Sequence, residues 1–482
     1  QVHSDDEVPS IAIIPFENKG ADEDAFYAFG ISVDLIADVS SAGLIRVASK
    51  KQIDEAGDLP QDELAKKLDV RYMANGELWR MGDIFQLSIE LYDTKDKKVI
   101  WSDRWQEKWD NLPTIKGSLS DGLLKSLDGK SKIERKVENI NPEAYRLYLK
   151  GLAKWEKVRN KEDKETVKSL FIKAIDLDNN LIEAKNELGG IETNLEKGLK
   201  ILKSNITQAR KLGRNGVMGK SYFHIGWKFT LNMSQELAIG NFLKSIKNYE
   251  KSGDKQGVAE SMSSLGMVYT FLGQYRSALV AYSKSKDIHK EIEHQLGIMD
   301  CRLCISWLYF YQGRLDEALK LMENLEEYFI EIESYILCAV LNHFRGCTYL
   351  YKMDYNNASI HLKKSCEIYK KLNNNGYVWS LSWYILSNIK LGEIDQNENI
   401  KLINKKIDNG WLEDIDFPEV HYTLFRIHDE LGEPSKANIH LDLAYNKLIT
   451  QSKRIEKEEF RESFLQSRCH NELIDSWELI NN

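Results

Sequence analysis

Asp34 and Asp38 stand four residues apart in a stretch with helical apolar spacing, so both carboxylates fall on one helix face, as a general acid and base pair would require. Acidic residues at this spacing also mark ordinary solvated helix faces, and that is the reading adopted for them. A second group joins Cys301-x2-Cys304 to His289 and His294. Thiolate and imidazole are zinc ligands, but no second cysteine pair stands at matching distance, and a helix connector separates the histidines from the cysteines. Packed free thiols are expected at all six cysteines, Cys301, Cys304, Cys338, Cys347, Cys366 and Cys469, with no metal and no cofactor. Phosphate-binding G-x4-G-K-S/T, G-x-S-x-G, H-E-x-x-H and strand-linked G-x-G-x-x-G motifs do not occur. No catalytic residue is assigned, and any enzymatic activity is expected outside this chain. A formal net charge of −8 argues against a nucleic-acid partner. No apolar run is long enough, at roughly 18 residues, to cross a bilayer.

The elements that would position a site are repeats. Gly266 has counterparts in Gly226, Ser306 and Gly346, each 40 residues away, and Ala278 has them in Gly198, Ala238, Ala318 and Ala358. Leu265-Gly266, Tyr269, the turn at Leu272-Gly273, then Ala278 and Tyr282 resemble the tetratricopeptide helix–turn–helix signature. Gly266 would let two antiparallel helices approach, and Ala278 would receive Tyr269. The tryptophan of the signature is Met262 here, its closing proline is missing, and the period exceeds the usual 34 residues. The regular units span about 182–371; Gly392 and Gly432 continue with a slipped register to 455, a bent connector is expected at Glu413–Pro418, and a polar helix at 456–482 is expected to cap the open end. Residues 142–181 form an irregular first repeat, with helices at Tyr145–Arg159 and Glu165–Asp176.

The first 130 residues follow other rules. A polar tether over 1–9 precedes a buried strand at Ser10–Phe16, a helix at Phe26–Ser41, a strand at Leu44–Ala48 and a helix at Asp62–Leu68. The period then drops to two in Tyr72–Trp79, Ile84–Tyr92 and Val99–Trp105, and a helix at Leu112–Leu127 closes the unit. The fold class is α+β followed by all-α: a small mixed-sheet α/β domain at 10–130, a charged linker at 131–141 and a helix–turn–helix α-solenoid. Few contacts are expected across that linker, so the two parts should have separate cores.

Ala12-Ile13-Ile14-Pro15-Phe16, Phe29-Gly30-Ile31, Asp34-Leu35-Ile36, Leu68–Tyr72 with Gly76, Gly82-Asp83, Leu91-Tyr92-Asp93 and Ile100-Trp101 together resemble the TolB amino-terminal-like (FlgO-like) domain. Asn141–Gly151 is similar to the N-x-E-A-Y-x-L-Y-x-x-G that joins this domain to helical repeats in large bacterial signalling proteins. The resemblance implies the extracytoplasmic, periplasmic part of a membrane-anchored protein whose cytoplasmic side carries a class III adenylate cyclase, a kinase or a winged-helix regulator. The chain, which opens without an initiator methionine, reads as a piece of such a protein.

What remains is a binding surface. In helical repeats of this type the positions three before and one after the signature glycine line the concave side. The 40-residue period gives Phe223, Ser263, Leu303, His343 and Trp383 in one row and Trp227, Met267, Trp307, Cys347 and Ser387 in the other. The favoured reading is a non-catalytic sensor or scaffold that takes a protein or peptide ligand against Phe223, Trp227, Ser263, Met267, Leu303, Trp307, His343 and Trp383, with a homodimer as an option. A cytoplasmic adaptor without an attached enzyme and a hydrolase with an unrecognised site are the alternatives.

Overall fold

The computed structural model describes residues 9–41, 45–48, 50, 53–54, 57, 59–128, 140–155, 158, 161–292, 294–393, 395–408 and 418–481. The expected tether, linker and bent connector lie outside these residues apart from Pro9, Ile140, Asn141 and Pro418. The chain divides into two compact units: the first runs to Lys228 and includes Gly240–Ser261 and Asp287–Leu296, and the second holds Phe229–Ile239, Met262–Lys286 and Gly297 onward.

In the first unit six strands form one sheet: β1 Ser10–Ile13, β2 Glu17–Asn18, β3 Arg46–Val47, β4 Tyr72–Met81, β5 Ile84–Asp93 and β6 Lys98–Lys108. Their order is β3-β1-β4-β5-β6, with the short, unforeseen β2 beside β4. β1 runs parallel to both neighbours and all four of its residues are buried, which is why it reads as a continuous apolar run. β4, β5 and β6 form an antiparallel meander, and burial alternates along β5, as the period of two requires. Ile11 and Ile13 enter a core with helices α1 (Ala25–Ser41) and α3 (Leu112–Asp128), while Ala12 points to a second cluster with α2 (Gln61–Lys67). β6 is a sheet edge, and there Asp103 Oδ1 accepts from the Arg104 backbone N–H at 2.8 Å.

The expected separation of cores is corrected by the helices that follow, α4 (Pro142–Trp155), α5 (Lys161–Leu177), α6 (Ile182–Ile191) and α7 (Leu195–Lys211). One apolar cluster runs unbroken from Ile11 through Tyr145, Tyr148, Leu149 and Phe171 to Ile191. The approach of α1 to α4 requires a glycine, since a Cβ on Gly30 would sit 2.8 Å from that of Leu149. Asp34 and Asp38 lie at this seam and not on a solvated face; they are 4 % and 7 % exposed. Tyr145 donates to Asp34 at 2.6 Å, Lys116 Nζ lies 3.1 Å from Asp34 and 2.5 Å from Asp38, and Arg214 joins Glu183 at 2.9 Å. Burial alone would lower the Lys116 pKa, but the charges of Asp34 and Asp38 outweigh it and hold it above the usual lysine value. Burial is also the leading reason that the Glu183 carboxyl is raised, against the pull of Arg214 and Lys116.

The remaining helices are α8 (Asn215–Leu231), α9 (Gln235–Ser252), α10 (Lys255–Phe271), α11 (Tyr275–Glu291), α12 (Gln295–Tyr311), α13 (Leu315–Met322), α14 (Leu325–Glu331), α15 (Tyr335–Tyr351), α16 (Tyr355–Lys371), α17 (Gly376–Lys390), α18 (Asn397–Asp408), α19 (Pro418–Glu430), α20 (Pro434–Lys453), α21 (Glu458–Leu465) and α22 (Arg468–Asn481). First helices begin at 215, 255, 295 and 335 and second helices at 195, 235, 275, 315 and 355, so the period of 40 is held residue for residue. The signature glycines accept a large side chain 16 positions on. A Cβ on Gly226 or Gly266 would lie 2.7 Å from the Phe242 or Tyr282 ring, and one on Gly346 would lie 2.5 Å from Leu362. Ala278 and Tyr282 share a cluster with Tyr269 at its margin, so the glycine's partner is Tyr282. First helices stop at a left-handed residue, Gly273 at φ 72° or Met353 at φ 62°, and the Gln274 N–H then bonds back to Tyr269 O at 2.9 Å. One second helix is broken between α13 and α14 at Asn324, φ 59°. The carbonyls freed there are taken by arginines: Arg302 donates to Leu321 and Glu323, both at 3.1 Å, and Arg345 to Met322 at 2.6 Å.

Two outcomes follow from these contacts. Gly266→Leu must expel the Tyr282 ring and should lower stability by roughly 1–3 kcal/mol in a urea titration, whereas Lys284→Ala on an exposed face should stay within about 0.5 kcal/mol. Lys116→Ala strands two buried carboxylates and should cost about 3 kcal/mol in the same titration; a loss under about 1 kcal/mol would show that the seam does not depend on this cation.

Candidate peptide-binding surface

The cysteine and histidine group resolves into packing. Cys301 Sγ donates to Ser285 Oγ at 3.3 Å, a contact between a second helix and the first helix of the next repeat. The same seam holds Asn205 with Ser221 at 3.3 Å, Ser245 with Ser261 at 2.9 Å and Ser365 with Ser380 at 3.0 Å. Cys301 thus fills a small polar position of the repeat, and burial pushes its thiol up to about 11. His289 and His294 face each other, Nδ1 to Nδ1, at 3.2 Å, and burial brings His289 down to about 4. Among the described residues no group of three or more His, Cys, Asp or Glu could hold a metal ion.

The two rows read from the sequence differ in access. In the first unit Phe223 and Trp227 are half-buried and meet Phe242 edge-on at 5.9 and 6.1 Å. In the second unit Met267 and Trp307 are half-buried, with Trp307 stacked on Phe344 at 4.7 Å. Ser263 and Trp383 are buried, and Leu303 and His343 are enclosed at 0 % and 1 % exposure. His343 lies against the Trp379 ring at 3.8 Å, with Nδ1 3.0 Å from Ser380 Oγ. The expectation that Leu303 and His343 face a ligand is therefore corrected: both are enclosed, His343 against Trp379 and Ser380 of the adjoining helix, and the half-buried members are Phe223, Trp227, Met267 and Trp307.

A third row was missed. Five residues after the signature position stand Leu231, Phe271, Tyr311, Tyr351 and, one repeat on, Leu391, at the C-terminal ends of the first helices. In the second unit this row carries the end of the chain itself. The Glu456 and Lys457 backbone N–H groups donate to Glu236 at 2.9 and 3.1 Å. Ser463 Oγ donates to Leu272 O at 2.7 Å, and the Phe464 ring meets Phe271 at 5.2 Å. The Arg468 guanidinium lies over Tyr351 at 4.2 Å, and Tyr351 donates to Glu472 at 2.9 Å. Tyr422 donates to Glu472 O at 3.1 Å, and Trp477 stacks on Tyr445 at 4.0 Å while donating to Asp442 at 2.8 Å. The single capping helix expected at 456–482 is thus two helices, of which α22 does lie on the last pair but α21 runs back to the turn before α11. The same 40-residue period, read at this offset, was the available signal.

The fit is incomplete. The Tyr275 hydroxyl, Trp383 Nε1 and Glu419 Oε2 are buried without a hydrogen-bond partner among the described residues. Groups of this kind cost about 1–3 kcal/mol each. Burial is the leading reason that the Tyr275 hydroxyl pKa is raised above its usual value, and His470 Nε2 stands 3.5 Å from Glu419 Oε1. Polar atoms of the second unit thus stay unpaired with the tail in place, and one of the residues concerned, Glu419, meets the tail at His470.

Burial also sets a pH response. It brings His224, His361 and His440 down to about 4 and His343 to about 3. A folded pKa below the unfolded value of ~6.5 means that the neutral form is favoured by folding; stability is full above that value and falls as pH descends toward the folded pKa. The thermal midpoint should be flat above pH ~7 and drop steadily between pH ~6.5 and ~4. A midpoint that rose on acidification in that window would contradict the desolvation of these rings.

Residues 258–293 match the tetratricopeptide repeat family. None of the curated proteins matches the chain. Among solved structures, Rap protein complexed with competence and sporulation factor is 16% identical, covers 70% of this chain and 98% of its own, and has a TM-score of 0.47. NprR in complex with its cognate peptide NprX is 17% identical, with 76% and 98% coverage and a TM-score of 0.45. TolB from Acinetobacter baumannii is 19% identical over 26% of this chain and 29% of that protein, with a TM-score of 0.21. The chain is a small mixed-sheet domain followed by a tetratricopeptide-like helical solenoid.

Proposed function

We propose that this chain is a non-catalytic protein- or peptide-binding region of a bacterial signalling protein. The observation that carries the reading is the aromatic row at the ends of the first helices, which already accepts α21 at Phe271 and α22 at Tyr351, with Tyr422 adding a further hydroxyl to α22. A surface of repeats that binds one helix through ring faces, hydroxyls and main-chain carbonyls has the chemistry to bind another. The half-buried Trp307 adds a large apolar face whose Nε1 has no partner among the described residues. The finer context, the extracytoplasmic region of a membrane-anchored adenylate cyclase, rests on the likeness of residues 10–130 and of the Asn141–Gly151 junction to such proteins. No described helix is long and apolar enough to cross a membrane.

Panning a random peptide library against the full chain tests the binding reading. Binders are expected, and Trp307→Ala should weaken at least one class of them by more than tenfold, as loss of an aromatic anchor of about 2 kcal/mol requires, with little change in the melting transition. A library that yields no binder above background would end this reading.

A further inference from the structure

We propose that α22 is an internal ligand of the second unit, and that the partner it stands in for is a single amphipathic helix of another protein. This rests on the peptide-binding reading and narrows it to one chemistry. The helix presents Arg468, Cys469, Glu472, Leu473, Ser476 and Trp477, spaced i, i+1, i+4, i+5, i+8 and i+9, which places all six on one face. Each recognises something specific. The arginine covers a tyrosine ring, the glutamate accepts a tyrosine hydroxyl, Ser476 lies 3.0 Å from the Tyr422 hydroxyl, and the tryptophan stacks on Tyr445 and donates to Asp442. Leu473 is buried at 1 % exposure, while Leu479 on the far side is 86 % exposed. A partner helix that repeats this face can take the same contacts.

Two features make the segment replaceable. All but one of its polar contacts named above are made by its side chains, the exception being the Glu472 carbonyl that accepts from Tyr422, and the Tyr275 hydroxyl, next to the Gln274 that donates to Ser463, is buried with no partner among the described residues. A partner that supplies an acceptor to the Tyr275 hydroxyl forms a bond the tail lacks, so it is favoured over the tail by the group the tail leaves bare. A tethered segment competes at an effective concentration of about millimolar, so the exchange answers to strong or abundant partners only. The seat of α21 depends on Gly273, where a Cβ would lie 2.2 Å from the Ser463 carbonyl oxygen. Gly313 has the same left-handed backbone, φ 76° against 72°, but meets only the flexible end of Arg468 at 3.5 Å. Alanine at the two positions therefore imposes similar backbone strain, and only the first lifts the tail.

The probe is a fluorescein-labelled synthetic peptide of residues 466–481, titrated by anisotropy against full-length chains under reducing conditions. Glu472→Ala with Trp477→Ala, which weakens the resident tail without touching its seat, should bind the peptide at least tenfold more tightly than the unmodified chain. Gly273→Ala should show a gain in the same direction and Gly313→Ala none. Adding Tyr351→Ala to the double variant should cancel the gain, and a peptide carrying the two tail substitutions should not bind. Equal binding by the unmodified chain and the double variant overturns the proposal, as does loss of the helical circular-dichroism signal in the double variant, which would make the tail a permanent part of the fold. A concentration-dependent dimer that exchanges tails would assign the surface to a second copy and also overturn it. Library peptides that bind at Trp307 while the tail peptide never binds would leave the peptide-binding function standing and remove this inference alone.

Discussion

A residue with little or no side chain on one helix, facing a large one 16 positions later on the next, is the contact on which the helical part depends. Gly226 with Phe242, Gly266 with Tyr282 and Gly346 with Leu362 each leave no room for a Cβ between the two helices. Where serine replaces glycine at 306, the residue 16 on is Met322, also fully buried, whose flexible thioether suits a narrower gap. The spacing of this pair leaves room for one turn, and the left-handed residues at Gly273, Gly313 and Met353 fit the chain into it. The same logic joins the sheet domain to the helices, because Gly30 gives Leu149 its place against α1. One packing rule thus operates both within repeats and at the junction that precedes them.

Polar groups then decide which neighbours meet. A purely apolar seam between repeats could slide by a helical turn; a small hydrogen-bonded pair such as Ser245 with Ser261, repeated as Ser285 with Cys301 and Ser365 with Ser380, favours one alignment. The break at Asn324 falls in the repeat where the equivalent positions are Leu325 and Leu341, both fully buried. At the junction the pairing is ionic, with Lys116 between two aspartates and Tyr145 closing on Asp34. Such a group adds less net stability than its Coulomb attraction suggests, since both charges lose water. What it supplies is orientation of α1 against α3 and α4.

The period of 40, the sheet meander and the helix ends were legible because they are set by neighbours close in sequence: a glycine and a turn, or alternating residues on one strand. The Asp34 and Asp38 pair was misread because its partners lie far along the chain, Lys116 and Tyr145, and nothing local distinguishes a buried acidic pair from an exposed one. Leu303 and His343 occupy positions expected to face a concavity in an isolated repeat, and both are enclosed once the helices assemble, His343 by Trp379 and Ser380. The fold-back of the C-terminus was invisible for the same reason. Ser463 meets Leu272 across 191 residues, and contacts of that separation leave no periodicity behind. Only the receiving row, Phe271, Tyr311 and Tyr351, kept the period of 40, at an offset where signature matching does not look.

The open edge of the sheet bears on how many copies can crowd together. β6 runs for 11 residues without a strand on its outer side among those described, and a long free edge is an invitation to polymerise. The antiparallel register that would join the whole strand to its own copy is centred on Asp103; it sets Asp103 against Asp103 and Lys98 against Lys108. Asp103 also ties up the Arg104 N–H that a partner strand would need. Two copies joined along this edge in that register would set like charges against each other, with one main-chain donor already taken.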